Sequence, residues 1–353
     1  MPARSANGRS QKRVRYWWER LPDEELLDVP LRDLGLKLED TWLAEMVEQL
    51  HEELDARDIR IKPHCWLSEE WFAPDGIPGI GVPFFLAHPR LRKLEHKHML
   101  EVEGGNRRWC MKLLRHEAGH AIQSAYRLQR RKGFRKVFGS VAQKYPDHYR
   151  PNPKSRNYVL HLYLWYAQSH PAEDFAETFA VWLTHSSTQW RKRYDGWGAL
   201  KKLEFVDELM TDVAGHVAPV RSKKRVDSLP NLKKTIREYY EEKQAHYSAS
   251  YPEVYDRDLR RLFLVPHPDK PKKGEAASRF LRRHRSEIRR MVSHWTGEPE
   301  YILEQVLREM IGRCQELKLR ATGNERRLKL DFAILLTVRT TQYLYTTREW
   351  IPV

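Results

Sequence analysis

Three residues in one short stretch carry the strongest chemical signal in the chain: His116, Glu117 and His120, within the run Arg115-His-Glu-Ala-Gly-His120. Around them Trp109, Leu113, Leu114, Ala118, Ala121, Ile122 and Ala125 recur at spacings of three and four, which predicts a half-buried helix over 107–126. On that helix His116 and His120 share a face. Two imidazoles one turn apart can both reach a tetrahedral zinc at about 2.0 to 2.1 Å, and Glu117, offset around the helix, is placed to take a proton from a water beside the metal. The plain alternative is a pair of satisfied histidines next to an ordinary helix carboxylate. Gly119 bears on the choice, because glycine costs a helix about 1 kcal/mol relative to alanine. We expect it to serve a close approach, of a neighbouring strand or of substrate.

A catalytic zinc needs a third protein ligand and an open fourth position. The best source is Ser169-His-Pro-Ala-Glu-Asp-Phe-Ala-Glu-Thr-Phe-Ala-Val-Trp-Leu183. Pro171 suits a first helical position, Ser169 or His170 can cap, and Phe175, Phe179, Val181 and Trp182 give the helix an apolar side. Glu173 and Glu177 then lie one turn apart. One carboxylate can bind zinc while the other accepts a hydrogen bond from the outer nitrogen of a ligating histidine. An isolated glutamate pair would more often belong to a solvated face, but this one stands beside phenylalanines and a histidine pair.

His-Glu-Ala-Gly-His followed at a distance by Pro-Ala-Glu-Asp-Phe-Ala-Glu-Thr-Phe-Ala resembles the gluzincin metallopeptidases, most closely the bacterial zinc-binding metallopeptidases whose second motif has the form EDFAE. The catalytic domain of anthrax lethal factor is more distantly similar in motif. The resemblance implies a zincin-like fold, Zn2+ as cofactor, and hydrolysis of peptide bonds in a protein or peptide substrate. It implies that His116, His120 and Glu173 bind zinc and that Glu117 is the general base. Glu177 would hold a ligating histidine from behind, with Asp174 as its competitor for that place. The lethal-factor pattern also carries a tyrosine seven residues before the glutamate ligand. Tyr166 matches it, as a donor to the developing oxyanion. Tyr158, Tyr163 and Trp165 surround it in what reads as an aromatic-rich helix, where a tyrosine can equally just pack. The resemblance covers the middle of the chain, reaches the helix Trp197 to Met210 less firmly, and says little about either end.

These motifs must be positioned by the rest of a chain of 353 residues, long enough for about two domains. The formal net charge is +15, charged residues make up 31%, and mean hydropathy is negative. No apolar run of about 18 residues offers a membrane span. Met1 to Arg20 is basic and lacks the apolar segment of a signal peptide, so a cytoplasmic protein is expected, with Met1 to Gln11 disordered. Cys65, Cys110 and Cys314 form no CxxC pair, which argues against a disulfide framework or a cysteine-rich zinc site.

The fold class expected is α+β, mainly helical: a zincin-like metallopeptidase domain with a small N-terminal sheet, a helical extension and a small C-terminal accessory module. The boundaries read as a basic tail at 1–20, the metallopeptidase domain at 21–265, a proline- and lysine-rich linker at 266–275, and the basic module at 276–353. Asp40 to Arg57 patterns as an amphipathic helix, and Asp58 to Leu67 and Gly79 to Leu86 as strands. Ile80 to Phe85 could form a sheet edge beside the cleft that an extended peptide joins through its main chain, although Pro83 removes one donor. Ala199 to Met210 and Leu232 to Tyr247 read as buttressing helices. In the module, Ala276 to Trp295 and Glu298 to Leu319 read as helices, and Leu330 to Tyr345, rich in β-branched and aromatic residues, as at least one strand or hairpin.

Two basic regions raise the question of partners. Arg127 to Tyr158 is basic and aromatic, including Tyr145 and Tyr149, and would sit near the cleft, selecting acidic or extended substrates, or else be a solvated insertion. Arg282, Arg283, Arg285, Arg289 and Arg290 share one helix and could contact the phosphates of nucleic acid, although a solvated face or a protein-binding surface explains them as well. The second functional class is therefore a basic nucleic-acid- or protein-binding protein with a structural or vestigial zinc site. Glu117 argues against it, because a structural zinc has no use for a base.

Overall fold

The computed structural model describes residues 15–146, 148–149, 151–247, 255–265, 274–346 and 351–352. The expected disordered tail and residues 266–273 of the expected linker lie outside these. The chain is mainly helical, and its strands are few and short.

The first part begins with α1 (Asp23–Leu27) and α2 (Leu43–Asp55). Leu43, Met46, Leu50 and Leu54 recur at spacings of three and four and are buried, so α2 is held by its apolar stripe. The two expected strands are shorter than their apolar content suggests. Charged residues precede Pro63, and β1 is His64–Ser68; β2 is Gly79–Pro83, where the proline ends pairing and Phe84–Ala87 turns as a 3-10 helix. β1 and β2 pair in parallel, from His64 opposite Gly79 to Ser68 opposite Pro83. The other edge of β2, expected to be open to an extended peptide, is bridged at Gly81 by the chain's own Phe72, with Gly81 N donating to Phe72 O at 2.8 Å. Phe72 packs so closely that a Cβ on Gly81 would fall into its ring, which makes glycine necessary there.

After α3 (Pro89–Met99) comes α4 (Arg107–Tyr126), started by Asn106, whose side chain accepts from Trp109 N at 3.0 Å. The short α5 (Phe134–Val137) and β3 (His148–Tyr149) lead to α6 (Pro171–Thr184). Pro171 stands at its first position and His170 caps it, Nδ1 accepting from Ala172 N at 3.1 Å. The sequence suggested one apolar side, but Ala172 to Leu183 are buried without exception. α4 packs along one side of α6, with α7 (Ser187–Arg193) and α8 (Gly198–Val213) beyond its end and flank, while α9 (Ile236–Tyr247) packs against α1. These elements share one hydrophobic core, running in sequence from Trp18 to Tyr240.

A second apolar cluster, from Tyr255 to Leu336, is built by α10 (Asp256–Leu262), β4 (Glu275–Ala276), α11 (Ala277–Thr296), α12 (Glu300–Glu316), β5 (Arg320–Ala321) and α13 (Glu325–Thr346). β4 and β5 pair antiparallel, and β6 (Ile351–Pro352) pairs with β3. α13 corrects the strand or hairpin expected at Leu330 to Tyr345. Leu328, Phe332, Ala333 and Leu336 are buried at helical spacing while Leu330, Ile334 and Val338 face outward. Burial periodicity here overrides the β-branched composition. The arginines of α11 are likewise mostly engaged, although Arg282, Arg283 and Arg290 are exposed. Arg289 bonds Glu300 at 2.7 Å and Glu304 at 2.8 Å, Arg283 pairs with Glu275 and Glu325, Arg285 with Glu304, and Arg282 donates to Gln315. Arg290 donates to Ser286 O on its own helix. The cluster that suggested phosphate contacts is largely spent on partners inside its own module, and nothing in this arrangement supports nucleic acid as a partner. Among the described residues no helix is long and apolar enough to cross a membrane.

Candidate metal centre

The crossing of α4 over α6 brings the two motifs together. A Cβ on Gly119 would lie 2.7 Å from Ala176 Cα and 3.1 Å from Ala176 O, so the helices can meet this closely only with glycine there. The neighbour is thus a helix, rather than the strand or substrate expected. On α4, His116 lies three residues before the crossing point and His120 one after it; on α6, Glu173 lies three residues before Ala176 and Glu177 one after.

His116 Nε2, His120 Nε2 and Glu173 Oε2 converge. His116 Nε2 lies 3.0 Å and His120 Nε2 3.2 Å from Glu173 Oε2, and the two nitrogens are 3.3 Å apart. Behind them, His116 Nδ1 donates to Glu177 Oε1 at 2.8 Å, which fixes the ring so that Nε2 is the nitrogen turned toward the other two and the one that would offer a lone pair to a metal. Glu177 is fully engaged, since its Oε2 accepts from Leu162 N at 2.8 Å. Asp174, the other carboxylate weighed for this place, turns to α8 and pairs with Lys202 at 2.5 Å. Nearby His161 donates from Nε2 to Lys112 O at 2.9 Å, and burial lowers its pKa to about 4, so it stays neutral beside Glu177.

The electrostatics are those of a buried, tightly coupled cluster. Burial alone would push Glu173 up, but His120 and His116 outweigh it and hold the carboxyl well below its ordinary value. Burial likewise disfavours charge on His116, yet its bonds to Glu173 and Glu177 raise it well above the usual imidazole range. Glu117 is pushed up by burial, opposed by the two histidines, and its Oε2 has no hydrogen-bond partner among the described residues. A buried carboxylate oxygen with no partner is costly, and here it lies on the helix that supplies both histidines. Two imidazole nitrogens and one carboxylate oxygen, all within 4.8 Å of one another and backed by a second carboxylate, are a donor set that fits zinc.

Residues 87–209 match the family model described as "Putative zinc-binding metallo-peptidase". The match starts just before α3 and ends inside α8, so it takes in both helices of the centre. That family is described as zinc-binding, and His116, His120 and Glu173 are the cluster in the matched region that could hold the ion. No curated protein and no solved structure matches the chain.

Tyr166 sits beside this cluster, its ring 5.7 Å from that of His116. It lies on a 3-10 helix, Tyr163–Gln168, rather than on the longer aromatic helix expected, and Trp165 breaks the run with φ of 56°. Burial, with Glu173 and Glu117 nearby, keeps its phenol protonated. A second tyrosine, which sequence reasoning placed only in a basic and aromatic segment near the cleft, also reaches the cluster. Tyr145, in the basic and aromatic segment before α6, donates its hydroxyl to Glu173 Oε1 at 2.8 Å and stacks on His170 at 3.8 Å between ring centroids. The sequence did not show that the backbone N–H of Leu162 would complete Glu177.

Proposed function

We propose that this chain is a zinc-dependent peptidase in which His116, His120 and Glu173 hold the metal and Glu117 is the general base. The observation that carries the reading is the convergence of three ligand atoms from two buried helices next to a buried glutamate oxygen that has no hydrogen-bond partner among the described residues. When bound, zinc would supply Lewis acidity, polarising the scissile carbonyl and bringing the pKa of an adjacent water toward about 7. Glu117 would accept a proton from the attacking water at its free Oε2 and pass it to the leaving amine. Tyr166, a protonated phenol beside His116, would donate to the carbonyl oxygen as negative charge develops on it. Glu177 would keep His116 in the tautomer and orientation that present Nε2. The substrate class is a protein or peptide.

The test compares zinc content and cleavage of a mixed peptide library in wild type, Glu117→Gln and Glu173→Ala. We expect Glu117→Gln to retain zinc and lose turnover by about 10²- to 10⁴-fold, the usual contribution of a positioned base. Glu173→Ala should lose both. Turnover that survives in Glu117→Gln would remove the catalytic assignment, and a wild type without zinc would remove the metal.

A further inference from the structure

Glu173 uses its two oxygens for different purposes. Oε2 faces His116 and His120, whereas Oε1 accepts the Tyr145 hydroxyl at 2.8 Å. Tyr145 comes from outside both metal-ligand helices, on the stretch that follows α5. That stretch is steered at Gly139, whose φ of +102° suits only glycine and where a Cβ would meet Pro171 Cγ at 3.1 Å. It then passes the start of α6, where His170 Nε2 donates to Gln143 O at 3.1 Å. The same imidazole caps α6 through Nδ1 and carries the Tyr145 ring on its face, 19° from parallel. Three contacts on one buried histidine thus fix the phenol with respect to Glu173.

We propose that Tyr145 is a positioning residue that holds Glu173 to one-oxygen binding of the metal and so keeps the fourth coordination position open. The inference rests on the metal centre proposed above and goes beyond it. A carboxylate can bind a metal through one oxygen or both, and a hydrogen bond to the outer oxygen favours the first. With two histidines and one carboxylate oxygen, a tetrahedral ion has one place left for water or substrate. Without the phenol, Oε1 is free to turn in and take that place or to raise the coordination number.

Cobalt(II) in place of zinc reads this directly, because its visible absorption is strong in four-coordinate sites and weak in five-coordinate ones. Tyr145→Phe removes the hydroxyl and keeps the stack on His170. We expect wild type and Tyr166→Phe to bind one cobalt with strong absorption, and Tyr145→Phe to bind one cobalt with clearly weaker absorption. Equal absorption in wild type and Tyr145→Phe would overturn the role of Tyr145 and leave the metal centre standing. So would loss of cobalt from a Tyr145→Phe variant whose unfolding transition is unchanged, since the phenol would then hold the ion rather than set its coordination. Weak absorption in the wild type contradicts the one-oxygen arrangement itself. A wild type that takes up no cobalt overturns the centre and this inference together.

Discussion

Gly119 and Ala176 touch backbone to backbone, and the Cβ that alanine would add at position 119 falls 2.7 Å from Ala176 Cα. This contact sets the spacing of the helices that bear the two histidines and the two glutamates. Helix propensity alone favours Gly119→Ala by about 1 kcal/mol. Overpacking a close crossing costs about 1 to 3 kcal/mol, and the atoms met are main chain, which cannot rotate away. We therefore expect net destabilisation in urea unfolding, together with weaker zinc binding in competition with a chelator. A more stable variant with unchanged zinc affinity would show that the crossing is looser than described.

Glu177 is 1% exposed and satisfied on both oxygens, by His116 Nδ1 and Leu162 N. Replacing it with glutamine keeps the volume but removes the charge and obliges one amide group to face a donor. Changes of this kind behind a ligating histidine cost about 10- to 100-fold in metal affinity. Zinc competition on Glu177→Gln should fall in that range, whereas Asp174→Asn, which loosens the pair with Lys202, should change affinity much less. Equal losses in the two variants would mean that the orientation of His116 does not depend on Glu177.

What could be read from the sequence follows from which interactions are local. The helical spacing of His116 and His120, and of Glu173 and Glu177, is a property of single helices, so each pair could be found without knowing its neighbour. Tyr145 was legible only as part of an aromatic segment near the cleft, because its meeting with Glu173 depends on the route past Gly139, Pro171 and His170, and the last two belong to the start of α6. The arginines of α11 looked available for phosphate because their partners Glu300 and Glu304 lie on another helix. At α13 the composition favoured a strand, while the buried positions Leu328, Phe332 and Leu336, four residues apart, carried the helix. Composition was the weaker signal there, since β propensity measures fit to a sheet surface that this segment does not have.

The arginine network has an energetic consequence of its own. Glu304 is 2% exposed and answers Arg285 and Arg289, with Arg308 close by. Removing a buried acid strands the cations it served, at about 3 to 5 kcal/mol when a pair is fully buried, and toward the lower end here because Arg285 and Arg308 reach solvent. Glu304→Ala should lower unfolding stability by roughly 3 kcal/mol, and Arg308→Ala, at the exposed rim, by less than about 1 kcal/mol. Thermal unfolding of the two variants checks the ranking, and equal effects would place the network at the surface.

Glu101 supplies a pH dependence away from the metal centre. Burial, then the neighbouring charges of Glu300 and Glu103, push its carboxyl up to about 7. Below the ordinary carboxylate value near 4.5 the group is protonated in both the folded and unfolded chain and contributes no slope. Between that value and about 7 the folded chain holds a proton that the unfolded chain has released, so stability from this group falls as pH rises. Above about 7 it is ionised in both states and the loss is complete. Glu101→Gln, permanently neutral, should therefore match wild type near pH 4.5 and become more stable than it toward pH 7.5, a difference read by urea unfolding across that window. Parallel wild-type and variant curves would mean that Glu101 is solvated well enough to ionise at no cost.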